Sequence, residues 1–153
     1  MPRNHAFTLI EMLIVVVILG ILASVGLPAI SNATTRSQVT AAAEGMVAIS
    51  KAATRYQLDH GVYPSDRSGG DDVPDLAPYL HEFDWETTPI GGEWDWDNWT
   101  NVNLNKSMKI CVSINRGDNA KAQAIDALID DGNAKAGGVL TTGFSCHYVI
   151  VYR

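Results

Sequence analysis

A long apolar run near the N-terminus holds a single carboxylate, and it constrains the fold more than any other feature. The run extends from Phe7 to Ile30, and after Glu11 no charged residue occurs until Arg36. Roughly 20 mainly apolar residues span the hydrocarbon core of a bilayer, so this segment is predicted to cross a membrane once. A carboxylate inside such a helix costs roughly 2.5–3.5 kcal/mol. Glu11 is therefore predicted to meet a partner there, with positive charge the best match.

The few residues before the run indicate its orientation. Arg3 is basic, and the positive-inside rule then places the N-terminus in the cytoplasm and exports the rest of the chain. A secretory signal would be cut after the apolar stretch, where Leu22-Ala23-Ser24 imitates a cleavage site. Glu11 and the length of the run argue against that cut. An uncleaved anchor whose Glu11 reaches the headgroups remains an alternative.

The residues around the carboxylate resemble a known signal. The stretch Ala6-Phe7-Thr8-Leu9-Ile10-Glu11, followed by an apolar helix, is similar to the class III signal of type IV pilins and type II secretion pseudopilins. The resemblance implies that a membrane peptidase cuts between Ala6 and Phe7 and N-methylates Phe7. Ala6 departs from the glycine that usually precedes the cut. Gly20 and Pro28 fall where the family tends to place a glycine and a helix-bending proline.

The same resemblance implies a function and a set of partners. The chain would be a structural subunit, pilin or pseudopilin, of a type IV pilus or a type II secretion pseudopilus, built from identical or homologous subunits. Further partners would be the prepilin peptidase/methyltransferase, the inner-membrane assembly platform and membrane lipid. The subunit would lie in the bacterial inner membrane as a single-pass protein with a periplasmic C-terminal domain before it enters the filament. There Glu11 would pair with the amine of a neighbouring Phe7, and such an attraction is stronger near protein than in water.

The helix is predicted to continue beyond the membrane, from about residue 8 to 59. Its length would be about 75–80 Å at 1.5 Å per residue, and Pro28 is predicted to bend it. A single apolar face follows the membrane segment, and it consists of Val39, Met46, Ile49, Ala53 and Tyr56. Gly61 and Pro64 predict where the helix ends. The predicted division is a leader at 1–6, a membrane and polymerisation half-helix at 7–32, and a globular domain at 33–153.

Patterns with a period of two predict a sheet after the helix. Residues 93–97 alternate acid with tryptophan, residues 109–115 alternate apolar with polar side chains, and residues 144–152 are aromatic and β-branched. A short helix is predicted from Asp118 to Asp131, with Asp118 as its N-cap and Gly132 as its C-cap, and a helical turn is predicted at 75–80. The predicted fold is α+β and pilin-like, with the long helix packed on a small, mostly antiparallel sheet.

Charge argues against a nucleic-acid partner. The chain carries a net charge of −6, and loss of residues 1–6 removes Arg3 and gives −7. Binding to a phosphate backbone requires a basic surface, and the sequence contains no basic stripe. No nucleophile–base pattern or phosphate loop is present either, so catalysis by this chain is not expected.

The two cysteines are predicted to form a disulfide, with free thiols as the alternative. Cys111 and Cys146 both lie in the part predicted to be exported, where disulfides persist. Closing this loop would stabilise the domain by roughly 4 kcal/mol. Alternation places Cys111 on the polar face of its strand and Cys146 beside Phe144 and Tyr148, so their facing is not clearly matched. The spacing matches no metal site built from the two cysteines.

Three further groups of residues are candidates for binding, each with a plainer interpretation. The tryptophans could form a sugar platform on a membrane-tethered or tip-located adhesin domain, the second candidate function, or they could pack the core; they are Trp85, Trp94, Trp96 and Trp99. Asp130, Asp131 and Asn133 resemble part of a calcium loop, and pseudopilins of the resembled family bind calcium, but a helix end followed by a turn explains them equally well. The histidines, expected in surface or packing roles, are His60, His81 and His147.

Overall fold

The first element is one long helix, α1, which runs from Leu9 to His60. The computed structural model describes residues 8–99, 108–133, 137–142 and 145–152. Both ends of α1 agree with the prediction to within one residue, and Gly61 follows with a φ of 77°, where a side chain would be strained. The chain divides into two compact units, Met1–Arg36 and Ser37–Arg153, and the second is the globular unit. The helix contributes residues to both: the first part of α1 is residues 9–36, and the second part is residues 37–60.

In the first unit, several side-chain hydroxyls donate to backbone carbonyls of α1 itself. Every side chain described between Thr8 and Arg36 is exposed. The Ser24 hydroxyl donates to the carbonyl of Ile21 at 2.7 Å, and Thr34 donates to the carbonyl of Ile30 at 3.0 Å. A hydroxyl that bonds back to its own helix needs no water, and for Ser24, inside the predicted membrane segment, this suits a position in hydrocarbon. The backbone is helical through position 28, and the predicted bend there stays a prediction.

The second unit contains a four-stranded antiparallel sheet. Its strands are β1 (Glu93–Asn98), β2 (Met108–Asn115), β3 (Val139–Thr142) and β4 (Ser145–Tyr152), in the order β1-β2-β4-β3. The three predicted strands are confirmed. The sequence pattern did not locate β3, which has four residues and pairs with β4 as a hairpin.

A second helix, α2 (Asn119–Ile129), lies between β2 and β3 in the chain. Asp118 caps it as predicted, because its side chain accepts from the backbone N–H groups of Ala120 and Lys121. The C-cap is Asp130, and Gly132, with a φ of 79°, follows it. A 3₁₀ turn at Pro74–Leu76 lies at the position of the predicted helical turn.

The core of the second unit lies between the last part of α1 and one face of the sheet. The α1 residues buried there are Val39, Ala42, Ala43, Met46, Ile49, Ala52 and Ala53. Small side chains let the sheet approach, and Gly45 has none: a Cβ at that position would lie 2.6 Å from Cη2 of Trp94. The glycine therefore provides the space that the indole fills. The α+β prediction, with the long helix packed on an antiparallel sheet, is confirmed.

Candidate functional site

The N-terminus of α1 is organised by Thr8 and Glu11. The carbonyl of Thr8 accepts the first helical bond, from the N–H of Met12 at 3.3 Å, which makes Thr8 the N-cap. The Thr8 backbone N–H and hydroxyl each donate to Oε2 of Glu11 at 2.8 Å, and the Glu11 N–H donates to the Thr8 hydroxyl at 3.3 Å. These reciprocal bonds form a capping box.

This capping box was not predicted from the sequence. The signal was present, because Thr8-Leu9-Ile10-Glu11 matches the Thr-x-x-Glu pattern that precedes an apolar run. Glu11 therefore has a local structural role besides the one expected from its charge. Its donors in these bonds are neutral, so they orient the carboxylate without neutralising it.

The helix that follows presents a continuous apolar surface. Its large apolar side chains are about half exposed or more: 84% at Leu9, 49% at Val15 and 72% at Val25. An 18-residue window has a mean hydropathy of 2.8, and none of it is buried. Large exposed apolar surfaces mark contact with membrane or protein. By length and composition, α1 is able to cross a membrane.

The predicted cleavage site between Ala6 and Phe7 precedes the first residue that the structure describes. Ala6 and Phe7 lie outside the described residues, which begin at Thr8. Cleavage between them and N-methylation of Phe7 stay predictions.

Three of the four tryptophans, Trp85, Trp94 and Trp96, are core residues rather than parts of a binding platform. Trp85 and Trp94 are 5% and 3% exposed, and Trp96 is fully buried. The Phe83 ring lies 5.1 Å from that of Trp85 and 5.5 Å from that of Trp94. Trp96 donates its indole N–H to the carbonyl of Pro64 at 3.2 Å. A sugar platform needs exposed ring faces, so burial supports the core-packing interpretation of these three residues and not the platform alternative; the fourth, Trp99, is partly buried.

The predicted disulfide between Cys111 and Cys146 is contradicted by the structure. Both cysteines are free and buried. Cys111 pairs with Asp97 and Val149 across the sheet, whereas Cys146 pairs with Ile114. The strand period of two places Cys146 on the core face and Cys111 on the opposite face, so the sheet itself separates the sulfurs.

Burial also keeps both thiols in the protonated form while no metal is bound. It raises the pKa of the Cys146 thiol to about 12, and it raises the pKa of Cys111 as well. The thiolate is the reactive form of cysteine. The alternative of two free buried thiols is thus the one that the structure supports.

The acidic turn after α2 is held together by hydrogen bonds to the backbone. Asp130 Oδ2 accepts from the backbone N–H groups of Gly138 and Val139, and Asp131 Oδ1 accepts from that of Asn133 at 2.8 Å. These bonds fit the turn interpretation.

Asp126 is an additional member of this acidic group that the sequence did not indicate. Its side chain is fully buried, and within the part of the chain that the structure describes neither carboxylate oxygen has a hydrogen-bond partner. Burial raises the pKa of Asp126, and Asp131 and Asp130 raise it further. One carboxylate oxygen from each of the three lies within 4.8 Å of the others. The spacing of four residues between Asp126 and Asp130 was the available sequence signal. No cofactor is predicted from the sequence, and calcium binding at this turn stays an untested alternative.

The histidines occupy different surroundings. His60 stacks on Tyr56 with ring centroids 4.1 Å apart, and His81 is exposed. His147 instead faces Ser113, with 2.6 Å between its Nδ1 and the Ser113 hydroxyl. This contact joins residues that are 34 positions apart, so no local pattern could indicate it.

Comparison with known proteins identifies the class of the N-terminus. Residues 1–27 match the family described as the prokaryotic N-terminal methylation motif. The solved structure of the major type IV pilin PilA1 from Clostridium difficile superposes with a TM-score of 0.54 at 19% identity, covering 79% of this chain and 98% of that one. The chain therefore has a pilin fold behind a prepilin-type signal.

Relatives come from two kinds of machinery. The type IV major pilin protein PilE of Neisseria gonorrhoeae is 49% identical over 68 residues, which is 42% of this chain and 39% of that protein. Type II secretion system core protein G of Pseudomonas aeruginosa is 44% identical over 67 residues, 44% of this chain and 47% of that protein. The matches thus span less than half the length of either relative. They confirm the resemblance to type IV pilins and type II secretion pseudopilins.

Proposed function

We propose that this chain is a structural subunit, pilin or pseudopilin, that polymerises through the first part of α1. One observation carries the proposal: an exposed apolar helix long enough to cross a membrane begins with an oriented carboxylate, Glu11. Membrane lipid covers such a helix before assembly, and the same helix of neighbouring subunits covers it afterwards. The role is structural rather than enzymatic. The similarity to PilE and to core protein G supports a filament subunit common to both systems.

Processing would create the partner of Glu11. Cleavage between Ala6 and Phe7 leaves a positively charged amine at Phe7, methylated or not. In a filament, this amine from one subunit would neutralise Glu11 of the next. A buried polar pair fixes the register between helices, so the pair would set the axial stagger of the subunits. The peptidase/methyltransferase would act on the inner-membrane form, and the assembly platform would extract the processed subunit.

The capping box supplies a sharper test of this pairing than a single substitution at Glu11. Glu11→Gln keeps the capping box, in which Gln serves as well as Glu, but removes the charge. Thr8→Ala removes the N-cap hydroxyl and keeps the charge, at a cost of about 1 kcal/mol. Glu11→Ala removes both functions.

The experiment compares sheared filaments, or cross-linked multimers, with the membrane pool for each variant. We expect Glu11→Ala to be processed and inserted but to assemble poorly, because an amine buried without its partner costs roughly 3–5 kcal/mol. Glu11→Gln should assemble at an intermediate level, and Thr8→Ala close to wild type. Wild-type assembly of Glu11→Ala would refute the pairing. Equal defects in Thr8→Ala and Glu11→Ala would show that the cap, not the charge, matters.

A further inference from the structure

We propose that the sheet face opposite the helical core binds one Zn²⁺ through Asp97, Cys111 and His147. The site is independent of the proposed filament role. It would link β1, β2 and β4. Cys111 lies on this face and Cys146 lies on the core face, so a disulfide between them cannot provide this link.

The strand register brings the three residues together. Asp97 of β1 lies directly opposite Cys111 of β2, and Ser113 of β2 lies directly opposite His147 of β4. Cys111 and Ser113 are two residues apart, so they share one face of β2. All four side chains therefore project from the same side of three adjacent strands.

The distances suit a small tetrahedral ion. The candidate ligand atoms of Asp97, Cys111 and His147 all lie within 4.8 Å of one another. The Cys111 sulfur lies 3.4 Å from Oδ2 of Asp97. With Zn–S and Zn–O bonds of about 2.3 and 2.0 Å, tetrahedral ligands are separated by about 3.5 Å. The sulfur–oxygen distance between Cys111 and Asp97 therefore already matches that of two ligands of one zinc ion.

Ser113 connects the candidate ligands. Its hydroxyl donates to Oδ2 of Asp97 at 2.6 Å and lies 2.6 Å from Nδ1 of His147. Ser113 is fully buried, and its hydroxyl proton points to the Asp97 carboxylate. An activated nucleophile would instead be accessible to substrate. Ser113 is placed as a positioning residue that orients both ligands, and such partners tune metal affinity.

The surroundings favour a cation. Asp97 is 8% exposed and Cys111 is fully buried. The neighbouring Asp95 on the same face has a buried carboxylate oxygen, Oδ1, without a hydrogen-bond partner in the described part of the chain. A metal ion compensates buried negative charge that would otherwise be costly.

The donor set selects the metal class. One sulfur, one imidazole nitrogen and one carboxylate oxygen suit Zn²⁺, whereas Ca²⁺ takes oxygen ligands alone. On binding, the Cys111 thiol loses its proton to solvent and forms a zinc–sulfur bond in place of its hydrogen bond to Asp97. Uptake of zinc should therefore release a proton.

The test uses the full chain in detergent micelles, stripped with EDTA and equilibrated with Zn²⁺, with bound metal measured by elemental analysis after gel filtration. We expect one Zn²⁺ per wild-type chain, proton release on binding, and an increase of Tm that EDTA reverses. Replacement by Co²⁺ should give the near-ultraviolet charge-transfer band of a thiolate–cobalt bond. Cys111→Ser and His147→Gln should lose stoichiometric binding. Ser113→Ala should weaken it about 10–100-fold.

Two matched variants show whether zinc binds at this site or elsewhere on the chain. Cys146→Ser removes the other buried cysteine, on the core face, and should bind as wild type. Asp130→Asn alters the acidic turn after α2 and should also bind as wild type. Equal binding by Cys111→Ser and wild type would overturn the proposal. So would wild-type protein that takes up no zinc, or that shows no thiolate–cobalt band, and these two results hold even if Cys111→Ser fails to fold.

Discussion

The two parts of α1 have the same backbone conformation and opposite surroundings. In the first part, Ile18 is 51% exposed; in the second, Ile49 is completely buried. The first part is apolar on every side, which is typical of a buried or membrane-spanning helix. The second is apolar along one stripe and rich in alanine. Both parts thus form helix. The distribution of apolar residues around each part, on all sides or along one stripe, determines which of its faces are buried.

Polar groups show the same contrast. In the first part, Ser24 and Thr34 bond to carbonyls of their own helix. In the second, Gln38 accepts from the ammonium of Lys121 at 2.8 Å, and Asp59 accepts from the hydroxyl of Tyr79 at 2.6 Å. The second part is therefore bound to residues distant in sequence. The second part of α1 and the rest of the globular unit therefore stabilise each other.

The largest effect is expected from one substitution made in each part. Ile49→Ala opens a cavity in the core and should lower the free energy of unfolding of the globular unit by about 2–5 kcal/mol. Ile18→Ala removes the same atoms from an exposed position and should leave that free energy unchanged. Tryptophan fluorescence during denaturation in detergent measures this, because all the tryptophans, residues 85 to 99, lie in the second unit. Equal losses would show that the two parts unfold together.

A smaller effect is expected from two glycines of the same helix. Alanine favours helix over glycine by about 1 kcal/mol, so Gly20→Ala, with nothing within 4 Å of the added Cβ, should be neutral or stabilising. Gly45→Ala places that Cβ 2.6 Å from the Trp94 ring and should destabilise by about 1–3 kcal/mol. Thermal unfolding of both variants, followed by the far-ultraviolet circular dichroism that reports on the whole of α1, measures the difference. A stabilised Gly45→Ala would mean that Trp94 repacks without cost.

The smallest effect is expected from the two helix caps. Asp118→Ala removes the cap of α2 and should reduce the stability of the globular unit by about 1 kcal/mol. Thr8→Ala removes the cap of α1 and should not change that stability, although it should increase exchange of the first amides of the helix. Denaturation monitored by fluorescence, together with hydrogen exchange, distinguishes the two outcomes. A loss of stability in Thr8→Ala would link the start of α1 to the globular unit.

Much of the fold could be predicted because the decisive signals are local. The stop signals at Gly61 and Pro64 predicted the end of α1 to within one residue, and Asp118 marked the cap of α2. Alternation predicted the three longer strands. It failed for β3, because four residues carry too short a pattern.

The candidate sites were less predictable because they depend on facing and register. Alternation already suggested that Cys111 and Cys146 faced differently, but only the pairing of β2 with β4 showed that the sheet lies between them. The capping box of Thr8 and Glu11 is local and could have been predicted from four residues, but the charge of Glu11 in an apolar run is the more prominent signal. The surroundings of Asp126 needed the fold of the turn after α2.

The sequence by itself determined the apolar helix, its carboxylate and the periodicity of the strands, since each depends on residues within a few positions of one another. Tertiary structure alone decided which tryptophans are buried, why Gly45 must lack a side chain, and that Asp97, Cys111 and His147 meet. Those residues come from three strands, and their proximity follows from strand order and register. Neither property is encoded in any short segment, because both result from how the whole sheet packs against α1.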